Sequence, residues 1–361
     1  MTKTKKKNKL TYKQRMQMAE EMAGISFWVD LRKGRLSKYT IQKHVKNVLV
    51  MLFRYIILIS LGFVIITPLW TLAKDALTDP AVLATKGSVW IPSKVSTIFF
   101  EMALSKAVMN FAPSVLYTIG ITAAITFLQI VSCGLAAYAF ARLKFKGSGL
   151  LFGLVIFTII VPGDSINLAL YSTFKNFDLF GLIPLLNGGK SISLLDQPAS
   201  LFVMAACGQG VKTGLYIYLL RQGIKGLPYS IEEAAFVDGA GFLRTFFQIV
   251  VPSASGSILT ASVLGFLWNY TDTYYSSLLA KSNYDLAQRY VGVQANIRWP
   301  INSATQTNTR WITAVNADNP FVQNATASAC SLLVVLPLLV MYLFVQKRFV
   351  QGVARSGLGG D

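Results

Sequence analysis

The sequence of 361 residues contains one histidine, His44, and only three cysteines, Cys133, Cys207 and Cys330. A single histidine excludes histidine-based metal sites, Ser-His triads and histidine relays together. His44 itself reads as a solvated residue among basic neighbours. The cysteines stand far apart with no CxxC pair, so neither a disulfide framework nor a thiolate metal site is available. Charge is also scarce, at 14% of residues against about 25% in ordinary soluble domains. No paired carboxylates, nucleophile elbow or metal-ligand spacing occur, which leaves an enzyme reading without a catalytic constellation. The GGKS run at 188–191 resembles the end of a phosphate-binding loop, but Pro184 stands where that loop needs glycine. The chain is therefore expected to bind no ATP, metal or cofactor of its own.

What fills the sequence is apolar: 53% of residues are hydrophobic, in stretches that reach the ~20 residues needed to cross a bilayer. Six such stretches, near 55–73, 116–140, 150–171, 199–220, 257–278 and 325–345, predict an all-α polytopic membrane protein with six transmembrane helices. The third holds VPGDS at 161–165, a segment suited to protein or water rather than lipid. Net charge is +18, yet 13 of the 34 Lys and Arg precede residue 47. That placement makes residues 1–47 a basic arm for an anionic membrane surface and argues against nucleic acid. Residues 12–29 within it are weakly amphipathic, and no apolar signal core follows the basic start, so the arm is expected to remain on the mature protein. With the N-terminus in the cytoplasm, 22 Lys and Arg fall inside and 10 outside, which the positive-inside rule favours. Both termini are then cytoplasmic, 346–361 forms a cytoplasmic tail, and 281–324 forms a long external loop that either folds onto an external partner or is solvated. Lys212, inside the fourth stretch, is expected to face protein, a water-filled path or an anion.

The cytoplasmic loop between the fourth and fifth stretches reads LPYSIEEAAFVDGAGFLRTFFQIVVP from Leu227 to Pro252. Ser230 and Glu233 have capping-box spacing and predict a helix over 231–238. Asp238-Gly239 is a turn pair that ends it. Ala234 and Ala235 offer a small-residue surface to a partner, and Glu232 and Glu233 offer carboxylates to basic groups. Followed by the apolar run 242–251, the helix would serve as a docking knob on a stiff lever; an ordinary capped surface helix is the plainer reading.

This segment resembles the EAA loop of ABC importer permeases, which it matches through Glu233-Ala234-Ala235, Gly239, Ile249 and Val251-Pro252, with Val in place of the usual Leu before proline. AAYAFARLKFKG at 136–147, YIYLLRQGIKGLPYSIEEAAFVDGA at 216–240, FLWNYTDTYYSSLL at 266–279 and QKRFVQGVARSGLGG at 346–360 are similar to maltose-type carbohydrate permeases, so the resemblance covers most of 50–355. It implies a type I importer permease fold over 48–355 in the bacterial cytoplasmic membrane. A second homologous permease, two ATPase subunits that bind ATP and Mg, and an extracytoplasmic solute-binding protein complete the implied assembly. The loop residues Ser230, Glu232, Glu233, Ala234, Ala235, Asp238 and Gly239 would then couple transport to the ATPases.

For the cargo, Trp268, Asp272 and Tyr275 stand at i, i+4 and i+7, so one continuous helix would align them, with Asn269 on an adjacent face. An aromatic plane beside a carboxylate suits the ring face and hydroxyls of a sugar. Trp and Tyr also gather at membrane surfaces, so an interfacial belt is the alternative. Beyond a sugar or oligosaccharide, the sequence leaves open a polyol or glycerophosphodiester importer and, from another class, a membrane scaffold or sensor.

Overall fold

The computed structural model describes residues 38–161, 163–281 and 285–358. Most of the basic arm, including 12–29, lies outside the described residues, as do Pro162 and the side chain of Asp164. Among the described residues the chain is helical, with two isolated β-bridges, Thr78 to Val95 and Phe177 to Ile192. It divides into two compact units, Met1–Trp70 and Thr71–Asp361.

In the first unit the described residues belong to helix α1, Lys38–Leu77, whose Leu49, Phe53, Ile59 and Phe63 are all exposed. An apolar helix with no buried stripe is what a lipid solvent allows and water does not.

The second unit takes in the last residues of α1 from Thr71 and continues with the short helices α2, Pro80–Lys86, and α3, Ile98–Leu104, followed by the long α4, Phe111–Arg142. Helix α4 is amphipathic in the inverse sense of a soluble helix. Ser114, Thr118, Thr122, Thr126, Gln129, Cys133 and Ala137 recur every three or four positions and are buried, whereas Leu116, Ile119 and Phe127 are exposed. Small and polar residues let neighbouring helices approach and hydrogen-bond, and the bulky apolar ones face outward.

The remaining spans are less regular than six uninterrupted helices. Among the described residues, three helices can cross a membrane by length and composition, 42–77, Phe111–Arg142 and 320–347, or four if one bent pair counts as a single span. The third expected stretch is α5, Ser148–Ile160, then a 3₁₀ turn at Gly163–Ile166 and α6, Asn167–Lys175. After α7, Leu182–Leu186, the fourth is split into α8, Pro198–Ala206, and α9, Thr213–Lys225. The fifth follows α10, Ser230–Val237, and α11, Phe242–Ser253, as α12, Ser255–Tyr270, which breaks before α13, Tyr274–Leu279. The expected external loop contains α14, Leu286–Ala295, α15, Arg298–Thr305, and α16, Thr309–Ala314. Ile301 and Trp311 of this loop are buried in a cluster with Phe99, Met102, Tyr270 and Val334, so it is a packed cap rather than a solvated connector. Helix α17, Pro320–Leu358, runs through Pro337 and past the expected end of the sixth stretch.

Two further clusters set the interior. Tyr138, Tyr216, Leu220, Phe246 and Val250 join α4, α9 and α11, and Leu170, Phe174, Leu201, Met204 and Leu279 join α6, α8 and α13. The first cluster seats the loop with the EAA-like sequence, and the second flanks the breaks in the fourth and fifth spans.

Candidate functional site

The loop helix α10 starts at Ser230, one residue before the expected start, and its N-cap is Tyr229, whose side chain makes no capping hydrogen bond. The Ser230–Glu233 capping box does not form. Ser230 is already inside the helix, and the Glu233 N–H is satisfied by the Tyr229 carbonyl at 3.1 Å. The C-terminus follows the expectation. Gly239 has φ +81°, and the Ala240 N–H bonds the Ala235 carbonyl at 2.9 Å while the Gly239 N–H bonds Phe236 at 3.1 Å. This pair of bonds closes the helix with a glycine in the left-handed region, where any side chain is disfavoured.

The helix divides its acidic and small residues between two faces. Glu233, Ala234 and Asp238 are exposed, whereas Ala235 and Glu232 are buried. Glu232, at 2% exposure, therefore does not offer its carboxylate to a partner. Its Oε2 accepts the Tyr138 hydroxyl at 2.8 Å, and its Oε1 accepts Arg142 Nε at 2.6 Å. Arg142 also donates to the Leu227 carbonyl at 2.9 Å and lies over the Tyr229 ring. The ring of Tyr138 meets Phe242 and Phe246 edge to face, each at 5.2 Å. One turn of α4 thus grips the loop at its start, in its helix and in the segment beyond. A buried carboxylate requires this full set of donors, because an unpaired charge away from water is costly.

Beyond the helix, the apolar run is not a straight lever. Phe246–Val250 is a π-helical turn, Pro252 follows, and α11 meets α12 at 81°. A π turn leaves one residue too many per helical turn, and proline removes a backbone donor, so the bend has local causes.

The break in the fourth span lies at 207–212, where Gly208, Gly210 and Lys212 have φ of +67°, +126° and +54°. Broken backbone is tolerated at membrane depth only if its polar groups find partners. Those partners come from α4: Ser132 donates to the Ala205 carbonyl at 2.9 Å, and Gln129 donates to the Val211 carbonyl at 3.1 Å and Thr213 Oγ1 at 2.7 Å. Asn269 completes the network, donating to Gln129 Oε1 at 3.0 Å and Thr126 Oγ1 at 3.2 Å.

The fifth-span face expected from Trp268, Asp272 and Tyr275 does not exist as one helix, because α12 ends at Tyr270. Asp272 instead caps α13, accepting the N–H groups of Tyr274, Tyr275 and Ser276 at 3.2, 3.3 and 3.1 Å. Trp268 packs on Tyr216, 5.9 Å between ring centroids, and belongs to the cluster near the loop. Asp272 and Tyr275 do line a cleft of about 610 Å³, together with Tyr274 and residues 208–213, Lys212 among them. Tyr274 reaches Asn167 through its hydroxyl, and Tyr274 and Tyr275 stack edge to face at 4.9 Å. Lys212 is exposed and makes no ion pair or side-chain hydrogen bond among the described residues.

A family model described as the binding-protein-dependent transport system inner membrane component matches residues 130–355, a range holding the loop, the clamp and the cleft. This chain belongs to that family. As such an inner membrane component it is a transport permease, of the kind whose transport depends on a binding protein. The permease is 25% identical over 304 residues to the trehalose transport system permease protein SugB of Mycobacterium tuberculosis, covering 83% of this chain and 94% of that one. It is 26% identical over 312 residues to the maltodextrin transport system permease protein MdxG of Bacillus subtilis, covering 85% and 95%. Its fold is shared, at a TM-score of 0.56 and 19% identity, with a chain in the crystal structure of a bacterial ABC transporter that imports the acidic polysaccharide alginate, covering 87% and 99%.

Tyr138, Arg142, Gln129 and Ser132 receive no role in the sequence reading, where Tyr138 and Arg142 stand only inside the run AAYAFARLKFKG at 136–147. A signal was present: Tyr138 and Arg142 are four residues apart at the end of an apolar stretch, a spacing that puts two donors on one helix face. What they would share could not be read locally, since Glu232 lies 90 residues from Arg142.

Proposed function

We propose that this permease imports carbohydrate, a sugar or oligosaccharide, through a type I ABC importer in which it forms half of the translocation pathway beside a second homologous permease. Two ATPase subunits, which bind ATP and Mg in place of this chain, dock on α10, and an extracytoplasmic binding protein delivers the cargo. Both termini and α10 then face the cytoplasm, and the cap built from 286–314 faces outward. The observation that carries this reading is the loop: Glu233, Ala234 and Asp238 are presented to a partner while Glu232 and Ala235 fix the helix from behind.

The saccharide cargo is supported by the trehalose and maltodextrin permeases among the relatives and by the cleft. Tyr274 and Tyr275 supply aromatic faces there, Lys212 supplies donors, and Asp272 holds the backbone turn that presents the tyrosines. Saccharides are recognised by this mixture of flat apolar surface and hydrogen-bonding groups. Asn269 supports the cleft wall from behind through Gln129, whereas Trp268 packs on Tyr216 in the cluster near the loop. Mechanistically, closure of the ATPases draws α10 inward, tilts the spans and opens the cleft to the binding protein; hydrolysis resets it.

Reconstitution of the permease with its ATPases and binding protein in vesicles tests the reading. ATP-dependent accumulation of the saccharide retained by the binding protein is expected. A stable complex with no flux of any solute would leave a scaffold in its place. Within a transporting complex, Tyr275→Ala should change preference among saccharides, whereas Trp268→Ala should lower stability without changing preference.

A further inference from the structure

The loop clamp and the fourth-span break are held by the same helix. Tyr138 and Arg142 of α4 grip Glu232 of α10, and Gln129 and Ser132, one to four turns earlier on α4, satisfy the backbone of the break at 205–213. Nine residues separate Gln129 from Tyr138, about 14 Å along an α-helix. Helix α4 is uninterrupted over Phe111–Arg142, whereas the path through α11 and α12 contains a π turn and an 81° bend. A straight, hydrogen-bonded helix resists compression and tilts as a unit, and a bent path with a π turn can absorb motion locally.

We infer that α4 transmits displacement of the docking helix to the cleft: Arg142 and Tyr138 make α10 move with α4, and Gln129 and Ser132 make the 207–212 break move with it too. These four are positioning residues, and the inference rests on the reading of α10 as the ATPase docking helix. The energetics favour a tight link at both ends. Separating Arg142 from Glu232 would leave a charge unpaired in a buried site, and withdrawing Gln129 would orphan the Val211 carbonyl and leave the Asn269 amide with Thr126 alone. Tilting α4 as a unit breaks neither set of bonds.

Cys207 provides a native reporter. It is the exposed cysteine at the break, whereas Cys133 and Cys330 are buried. In the complex with its ATPases in membranes, alkylation of Cys207 by a small maleimide is followed with and without Mg·ATP, using a hydrolysis-blocked ATPase. The parent rate should change by at least ~5-fold on ATP binding, the lower end of ordinary site-to-site coupling. In Glu232→Gln, Arg142→Lys and Gln129→Leu, each checked for co-purification with the ATPases, the ATP-dependent change should fall to less than half the parent's. Combining Glu232→Gln with Gln129→Leu should remove no more of the change than the stronger single variant does. Equal alkylation rates with and without ATP in the parent, or a parent-sized change in Glu232→Gln and Arg142→Lys complexes that retain their ATPases, would overturn the inference. Failure of the parent chain to bind any ATPase would instead overturn the docking reading on which it rests.

Discussion

The two irregular regions of this permease solve the same problem with different chemistry. At the end of α4 a full charge is buried: Glu232 meets Arg142 and Tyr138, and Arg142 caps the Leu227 carbonyl. At the broken fourth span the partners are neutral throughout, a glutamine, an asparagine, a serine and threonines. The clamp lies at a helix end that polar loop backbone can help solvate, where an ion pair with added hydrogen bonds is tolerable. The break lies within a span, where amides and hydroxyls satisfy backbone carbonyls without the cost of an ion. The difference teaches which region is brittle. Removing one member of a buried ion pair leaves a charge, and removing one member of a neutral network leaves only a dipole.

The comparison breaks most clearly with Arg142→Ala, which strands Glu232 and the Leu227 carbonyl. A loss of roughly 3–5 kcal/mol is expected, read as a lower unfolding midpoint of the detergent-solubilised permease and as loss of ATPase binding. Glu233→Ala, one position along on the exposed face, should leave the midpoint unchanged while weakening docking.

Gln129→Leu tests the neutral side. Orphaning the Val211 carbonyl costs about 1–3 kcal/mol, so the midpoint should fall by less than for Arg142→Ala. Hydrogen exchange should rise at 207–213 and stay at the parent level in 230–237. Equal losses for the two variants would remove the distinction between charged and neutral anchors.

Gly239→Val sharpens the comparison by altering the loop without touching the clamp. With φ at +81° and open space around the α-carbon, the penalty is conformational, about 1–2 kcal/mol or somewhat more for a β-branched residue. Transport should drop sharply with the circular dichroism spectrum unchanged; Gly239→Asn, which tolerates the left-handed region, should retain most activity.

The smallest effect concerns an ion pair with one exposed member. Lys94 beside Asp79, at 2.9 Å, holds that carboxyl below the usual carboxylate range, with help from the Ala81 and Val82 N–H groups and against the opposing effect of burial. A lowered folded-state value contributes stability that is fully present above the ordinary carboxylate pKa and is lost as pH falls through the lowered value. Hydrogen exchange at 80–83, corrected for intrinsic rates, should accelerate below about pH 4. Because Lys94 is largely exposed, Lys94→Ala should produce only a slight change at neutral pH.

The sequence by itself determined the solvent of this chain, its helical class and the end of its loop helix. Apolar runs long enough for a bilayer carry their information in composition, and Asp238-Gly239 carries its information in the conformational freedom of one residue. Ser230–Glu233 shows the limit of such local signals, since capping-box spacing was present and Tyr229 became the N-cap. The burial of Glu232, the break at 207–212 and the end of α12 at Tyr270 were decided only by the tertiary structure. The buried charge and the broken fourth span are stabilised by partners far along the chain, Arg142 for Glu232 and Gln129 for Val211, and the end of α12 combines the local cap Asp272 with the distant bond from Asn269 to Gln129. A broken span reads in sequence like a continuous one, because the apolar residues on either side of the break are the same. Only the assembled helices supply the hydrogen-bond donors that make the broken form stable in a membrane.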